Sequence, residues 1–265
     1  MMNDILYEQR DGLGVTTLNR PRKLNAFNTD MARQLHETLI TLSSHNDVRA
    51  ILIRAEGSYF SAGGDLSFFR ETLASDSATA QQAFAELVDA VHSVIGLLTS
   101  LPVPVVAAVQ GGAAGFGISL LATCDFVVAE RGSGFNAAYV NLGASADGGI
   151  SWMLPRLLGL RAARRLLMLG ETLDAEAALD LGLIDVIAEQ SELSSTAEAL
   201  ATRLAVGPTL AYGRIKTLLA SSSLNTLPEQ LDAEKQGFLA STATTDFGEG
   251  LHAFLARRPP NFTGR

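Results

Sequence analysis

The sequence predicts an α/β fold in which helices connect buried strands. Short apolar runs that resemble buried strands alternate with amphipathic segments in the first half of the chain, and the second half is almost entirely helical in pattern. Strands that alternate with helices are typical of crossover connections. With 265 residues, 47% of them hydrophobic, the chain is long enough to bury a sizeable core.

The first half contains most of the predicted strands. Residues 5–20 suggest two short strands around Asp11-Gly12, which is a hairpin signal. After a polar loop set by Pro21, apolar positions at helical spacing predict a helix over 29–44, with Asn28 or Thr29 as its cap. The next predicted elements are a strand in 48–57, a helix over 80–100, a strand in 104–111, a helix over 115–124 and a strand at 125–130.

The second half changes in character. Helical patterns cover residues 150–170, 174–182, 192–207, 209–222 and 227–242. The shift in composition between Asp147 and Leu160 therefore predicts an α/β core followed by a helical appendage. No tandem repeat of fixed period is evident, although the strand-strand-helix units are consistent with an irregular one.

Charge and composition exclude several functional classes. A net charge of -8 and a pI near 5.0 lack the basic footprint of a nucleic-acid-binding protein, although local charge can still favour an anionic ligand. The four histidines are scattered and show no metal-ligand spacing, so no metal is predicted. The single cysteine, Cys124, lies in an apolar run and is interpreted as a buried, inert thiol in a reducing compartment.

Membrane insertion is also excluded by the pattern. The first residues carry charges where a signal peptide would be apolar. Between His92 and Asp125 no charged side chain occurs, but prolines and glycines interrupt any helix that would cover this stretch. The segment therefore indicates a very apolar central layer, or a surface buried between subunits.

Two glycine-rich stretches share one design. In "FSAGGDL" (60–66) and in "VQGGAAGFGISLL" (109–121), a strand runs into glycines and then into a helix. Glycines allow tight turns, and a helix start leaves backbone N–H groups free. Two such sites that converge would hold an oxyanion between two N–H groups. Close packing of helix on strand is the alternative interpretation.

Other motifs do not fit these stretches. "GGAAGFG" lacks the Gly-Lys-Ser/Thr ending of a phosphate loop, and its glycines lack the dinucleotide-binding spacing. The nucleophile turn G-x-S-x-G is absent.

Six motifs in order resemble the enoyl-CoA hydratase/isomerase (crotonase) superfamily over essentially the whole chain. They are "LNRPRKLNAFN", the two glycine stretches, "LGASADGGISWMLPRLLG", "ETLDAEAALDLGLIDVI" and the closing residues 226–265. The best match of the whole pattern is the branch that resembles 1,2-epoxyphenylacetyl-CoA isomerase. The resemblance implies a crotonase fold of repeated ββα turns over 1–195 and a helical trimerisation region over 196–265. It further implies an acyl-CoA substrate without a separate cofactor, a homotrimer or dimer of trimers, and a cytoplasmic location.

The resemblance also assigns site residues. The N–H groups of Gly64 and Phe116 would hold the thioester oxygen as it becomes enolate-like. Tyr139 would be a further substrate contact. Coenzyme A would be bound by residues after Pro21, in the first glycine loop and near the C-terminus, namely Arg22, Lys23, Leu24, Ala62, Asp65, Leu66 and Arg257. The alternative for Arg22 and Lys23 is an ordinary solvated turn.

The chain departs from the hydratases at two positions. Where hydratases of this family have two glutamates, it has Ser119 and Tyr139, neither of which is a base at neutral pH. Asp147 in "ASADGG" matches an aspartate of the isomerase branches, which implies a proton-shuttling base; a helix-capping aspartate is the alternative. The resemblance therefore favours an enoyl-CoA isomerase. A hydratase for a branched or unusual enoyl-CoA and a coenzyme A-binding homologue without catalysis remain open.

The aromatic side chains suggest a pocket for a bulky apolar or aromatic acyl group. The candidates are Phe68, Phe69, Phe84, Phe116, Tyr139 and Trp152. The alternative is that these side chains belong to the core.

Overall fold

The structure is a computed structural model that describes residues 3–265. Its strands are β1 (Ile5–Arg10), β2 (Leu13–Leu18), β3 (Ala50–Ala55), β4 (Val105–Val109), β5 (Gly112–Ala114), β6 (Phe126–Glu130), β7 (Gly134–Asn136), β8 (Thr172–Asp174) and β9 (Val186–Ala188). Its helices are α1 (Thr29–Ser44), α2 (Leu66–Leu73), α3 (Ser77–Ser100), α4 (Phe116–Leu121), α5 (Ile150–Leu169), α6 (Ala175–Leu181), α7 (Leu193–Ala205), α8 (Thr209–Ser221), α9 (Leu227–Thr242) and α10 (Thr245–Leu255). Two 3-10 turns span Pro21–Lys23 and Tyr139–Leu142.

Two sheets organise the fold. The larger sheet has the strand order β1-β2-β3-β4-β6-β9, in which only the β1–β2 pair is antiparallel. The smaller sheet has the order β5-β7-β8, with β5 parallel to β7. The successive units β1-β2-α1, β4-β5-α4 and β6-β7-α5 each consist of two strands and a helix. The α/β prediction is confirmed.

Local sequence signals explain the ends of several elements. The β1–β2 hairpin turns at Asp11 (φ 49°) and Gly12 (φ 80°), and two successive residues with positive φ are what a two-residue hairpin turn requires. Asn28 caps α1 by accepting a hydrogen bond from the Met31 N–H at 2.9 Å. The helical pattern at 150–170 is interrupted at Gly159, whose φ of 77° and ψ of 157° kink α5.

The larger sheet is covered on both faces. Along β3, Ile51 and Ile53 pack in a core shared with α1 and α3, whereas Ala50 and Leu52 pack against α7. This alternation follows from the two-residue period of a strand. Burial on both faces explains why the central strands β3, β4 and β6 are nearly continuous apolar runs.

The boundary between Asp147 and Leu160 that composition predicts is wrong. The smaller sheet gains β8 after this point, and β9 joins the larger sheet beside β6. The following helix, α7, covers the second face of that sheet. The composition of the second half did not reveal these strands, because β8 and β9 have three residues each and are too short to show the two-residue hydrophobic period of a strand. A division at 195/196 stays a prediction; these two residues lie inside α7.

Helix α3 is the one helix within residues 3–265 that is long and apolar enough, by length and composition, to cross a membrane. It lies on α1, and Leu87, Val91, Val94 and Leu98 are buried in the larger core. It is therefore a core helix of this fold. The uncharged stretch between His92 and Asp125 is divided between the end of α3, β4, β5 and α4, as its prolines and glycines predict.

The C-terminal segment folds back onto the start of α10. The carboxylate of Asp246, whose residue is 5% exposed, accepts hydrogen bonds from the backbone N–H groups of Thr263 (2.7 Å) and Gly264 (2.8 Å). The Asp246 N–H in turn donates to the Arg265 carbonyl oxygen at 3.0 Å. One buried carboxylate thus anchors the last residues of the chain.

We expect Asp246→Ala to lower the free energy of unfolding by about 3 kcal/mol, because two N–H groups lose a charged acceptor. Urea unfolding measures this change, and limited proteolysis should release the last residues sooner. Asp232→Ala, at an exposed position of α9, is the matched control and should change stability by less than about 0.5 kcal/mol. Equal stability of the two variants would contradict the anchoring role.

Candidate active site

The two glycine stretches meet in the structure. Ser61 and Ala113 form a parallel bridge, and the Ala114 N–H donates to the Ser61 carbonyl oxygen at 2.8 Å. A Cβ atom on Gly63, which has φ +86°, would lie 2.7 Å from the Ala114 carbonyl oxygen and 3.2 Å from the Phe116 nitrogen. Only glycine lets the two loops approach this closely.

Gly64 and Phe116 line the same cavity, which has a volume of about 240 Å³. Around Gly64, the Phe27 N–H bonds the Gly63 carbonyl oxygen and the Asp65 N–H bonds the Phe27 carbonyl oxygen. Within residues 3–265, the N–H groups of Gly64 and Phe116 have no acceptor of their own. Phe116 is the first residue of α4, where an N–H is free by position in the helix. Two residues that line the cavity thus have backbone N–H groups without an acceptor, which is what an oxyanion site requires.

Asp147 lies in this cavity beside Ser119 and Tyr139, the two residues predicted to stand at the hydratase glutamate positions. The Tyr139 hydroxyl donates to Asp147 Oδ1 at 2.8 Å. The Ser119 hydroxyl lies 3.1 Å from the Tyr139 hydroxyl and donates to the Asp147 carbonyl oxygen at 3.3 Å. Within the described chain, Asp147 is the one carboxylate that lines the cavity, and its Oδ2 atom has no partner.

Tyr139 remains a hydrogen-bond donor at neutral pH. Burial, and then the negative charge of Asp147, raise the pKa of the Tyr139 phenol far above its ordinary value. A neutral phenol holds one oxygen of Asp147, so that the other oxygen is left for a ligand.

The remaining lining is mostly apolar. Of the predicted aromatic residues, Phe69, Phe116 and Tyr139 line the cavity. Phe68 and Phe84 flank Phe69 with ring centroids 6.4 Å and 5.4 Å away, and Trp152 packs under the Arg156 guanidinium at 3.8 Å. Phe68, Phe84 and Trp152 are outside the cavity lining among residues 3–265.

The residues predicted to bind coenzyme A, except Arg257, fall into one group near the cavity. The Leu24 carbonyl oxygen accepts from the Ala62 N–H at 2.9 Å, and Lys23 Nζ donates to Ser67 Oγ at 2.8 Å. Ala62 and Leu66 line the cavity. Arg22, Lys23 and Leu24 are exposed beside it. Arg257 is also exposed, after the end of α10, and is not among the residues lining the cavity in the described chain.

Asp65 has structural partners for its carboxylate. Its Oδ1 caps α2 by accepting from the Ser67 N–H at 2.9 Å, and its Oδ2 pairs with Arg20 at 3.0 Å. Although burial opposes ionisation, the Arg20 guanidinium and the capping N–H groups leave the pKa of Asp65 lowered. The sequence interpretation did not include Arg20, whose partner is 45 residues away in the chain.

A larger cavity, of about 880 Å³, lies between α8, α9 and the turn after α1. Within the described chain, none of the predicted site residues lines it. We therefore place the candidate active site in the smaller cavity, where the donors and the carboxylate meet.

Comparisons with known proteins agree with this architecture. The profile of the family described as enoyl-CoA hydratase/isomerase matches residues 8–265. The chain is 37% identical over 265 residues to 1,2-epoxyphenylacetyl-CoA isomerase of Escherichia coli K12, covering 100% of both chains. It is 33% identical to trans-2-decenoyl-(acyl-carrier-protein) isomerase of Streptococcus mutans, covering 99% of this chain and 98% of the relative.

A solved structure extends the likeness to hydratases. An enoyl-CoA hydratase from Polaromonas sp. JS666 superimposes with a TM-score of 0.91 at 34% identity, covering 98% of this chain and 99% of that one. Sequence and fold thus agree over nearly the full length of the chain. The chain belongs to the enoyl-CoA hydratase/isomerase (crotonase) family of acyl-CoA enzymes.

Proposed function

We propose that the protein is an enoyl-CoA isomerase that moves a double bond, or rearranges a ring epoxide, through an enolate. The observation that carries the proposal is the single carboxylate, Asp147, in the cavity that Gly64 and Phe116 line with free N–H groups. One carboxylate can take a proton from one carbon and return it to another, and no second group is needed to activate water.

In the proposed double-bond shift, the thioester oxygen accepts hydrogen bonds from the N–H groups of Gly64 and Phe116. Asp147 Oδ2 removes a proton from the α-carbon of a β,γ-unsaturated acyl group, and the electrons of the broken C–H bond delocalise onto the thioester oxygen. The same carboxyl group then protonates the γ-carbon, which leaves an α,β double bond. No atom is gained or lost. The two donors act because negative charge on the oxygen is greatest in the transition state.

Two alternatives use the same site. A hydratase would need Asp147, or a carboxylate of the substrate itself, to orient a water molecule, because Ser119 and Tyr139 occupy the glutamate positions. A coenzyme A-binding homologue without catalysis would bind acyl-CoA and turn over none. We favour isomerisation because Tyr139 holds one oxygen of Asp147 and leaves the other free.

Oxygen-18 water distinguishes these functions. We expect incubation with a panel of β,γ-enoyl-CoA and aromatic ring-epoxide thioesters to give products with the mass of the substrate and no oxygen-18. Because an isomer has the mass of its substrate, the thioesters are first separated by chromatography, and mass spectrometry of each separated thioester is the measurement. Products heavier by one labelled water would identify a hydratase, and binding without any product would identify the non-catalytic homologue.

We further propose how coenzyme A and subunits are arranged. The exposed Arg22 and Lys23 beside the cavity suit phosphate groups. Large apolar side chains on α8, α9 and α10 are exposed in the single chain, among them Leu219, Leu231, Phe238, Phe254 and Leu255. Their exposure supports a homotrimer or a dimer of trimers, in which Arg257 would reach a neighbouring subunit's ligand. The single cysteine, the half-buried Cys124, supports a cytoplasmic location.

A further inference from the structure

We propose that His92 of α3 is a positioning residue that holds the Asp147–Gly148 peptide unit, and with it the carboxylate of Asp147. The inference rests on the proposed function, in which Asp147 moves the proton. Its basis is a contact between elements that are far apart in the chain: the Gly148 N–H donates to His92 Nε2 at 3.2 Å, across 56 residues.

This peptide unit is held on both of its polar groups. Its N–H donates to His92, and its carbonyl oxygen, that of Asp147, accepts from Ser119 Oγ at 3.3 Å. The two side chains come from different helices, α3 and α4. Together they restrain rotation of the peptide plane next to the carboxylate. The third restraint is on the side chain, where Tyr139 donates to Oδ1.

Among the backbone groups of residues 3–265, the Ile150 N–H donates to the Asp147 carbonyl oxygen at 3.2 Å, but no backbone oxygen accepts from the Gly148 N–H. Gly148 has φ +59° and Gly149 has φ +73°, and glycine adopts either sign of φ at little cost. A Cβ atom on Gly148 would lie 2.9 Å from both Phe116 and Ser119, so no larger residue can stiffen the turn. The plane of the Asp147–Gly148 peptide unit can therefore flip unless hydrogen bonds hold it. The His92 contact is the one that holds its N–H.

His92 acts through the backbone rather than on the ligand. Its neighbour Val91 lines the cavity, whereas His92 is exposed and, within residues 3–265, is not part of the lining. One turn later on α3, Ile95 lies 3.5 Å from where a Gly149 side chain would begin. One face of α3 thus supports both glycines of the turn. To accept from an N–H, the imidazole must be neutral, with its proton on Nδ1.

Two substitutions separate the acceptor from the shape of the side chain. Glutamine carries an amide oxygen at about the distance of Nε2 from the backbone, whereas leucine fills similar space without an acceptor. We expect His92→Leu to lower kcat by about 10-fold with KM within about twofold, because a misplaced base slows the chemical step and not binding. We expect His92→Gln to keep kcat within about threefold of the unchanged enzyme. His36→Leu, on α1 and outside the cavity lining, is the matched control and should behave as the unchanged protein.

A second readout does not depend on turnover. In the ¹H–¹⁵N spectrum of the intact protein, the Gly148 amide resonance should shift upfield and exchange faster with solvent in His92→Leu. It should stay near its original position in His92→Gln. Thermal unfolding of all variants should remain within a few degrees, which separates local positioning from loss of fold.

The outcomes discriminate clearly. Recovery of kcat and of the Gly148 amide in His92→Gln supports the proposal. An unchanged kcat in His92→Leu, or an equal loss of kcat in both variants, overturns it while the isomerase assignment stands. Full activity of Asp147→Asn overturns the proposed function and, with it, this role for His92.

Discussion

Replacing Asp147 with asparagine is expected to lower kcat by about 10³-fold while acyl-CoA affinity changes by less than about threefold. The asparagine amide cannot accept the proton from the substrate carbon. Its oxygen can still accept a hydrogen bond from the Tyr139 hydroxyl, which lies 2.8 Å from Asp147 Oδ1 in the unchanged protein. The apolar lining and the two backbone donors are unchanged, so the substrate should still bind. Steady-state kinetics on the best thioester of the panel gives kcat, and calorimetric titration with a saturated acyl-CoA gives the affinity.

The matched control is Asp180→Asn, an exposed aspartate on α6 outside the cavity lining. It should retain full activity, which shows that loss of a carboxylate alone is harmless. A fully active Asp147→Asn enzyme would mean that the proton is carried by another group. The isomerase assignment would then have no base, because Asp147 is the one carboxylate in the lining among residues 3–265.

The proposed oxyanion donors are backbone N–H groups, which mutation cannot remove. Their role is therefore tested with a substitution whose side chain forces the two loops apart. We expect Gly63→Ala to lower kcat by about 10²-fold, because separating the two loops moves one donor away from the thioester oxygen. The added Cβ would lie 2.7 Å from the Ala114 carbonyl oxygen and 3.2 Å from the Phe116 nitrogen. The residue also has φ +86°, and this strain and the contact should lower the free energy of unfolding by about 2 kcal/mol. Kinetics and urea unfolding measure the two effects.

Gly132→Ala is the matched control, since a Cβ there meets no atom within 4 Å. It should change neither kcat nor stability. If Gly63→Ala does not fold, Gly64→Ala provides a milder change, because its Cβ would meet the end of the Phe69 ring rather than backbone atoms. Unchanged kcat in a folded Gly63→Ala enzyme would contradict the convergence of the two loops on one oxygen.

Features set by neighbouring residues could be predicted from the sequence. The hairpin at Asp11-Gly12, the cap at Asn28 and the glycines of the two loops each depend on a few consecutive positions. The absence of glutamate at Ser119 and Tyr139 was visible in the same way, once the resemblance to the family had aligned the motifs. Short strands could not be predicted in this way. The strand β9 has three residues, and only its pairing with β6 makes it part of the sheet.

The sequence by itself determined the α/β pattern and the two glycine turns, because backbone preferences and hydrophobic periodicity act over a few residues. Asp147 became a candidate base only through the resemblance to the family. Only the tertiary structure decided that Ser119, Tyr139 and Asp147 are joined by hydrogen bonds and that His92 supports the turn after Asp147. It also decided that the Asp65 carboxylate caps α2 and pairs with Arg20. These contacts join residues from separate elements, and their formation depends on how the two sheets and α3 pack rather than on any local pattern.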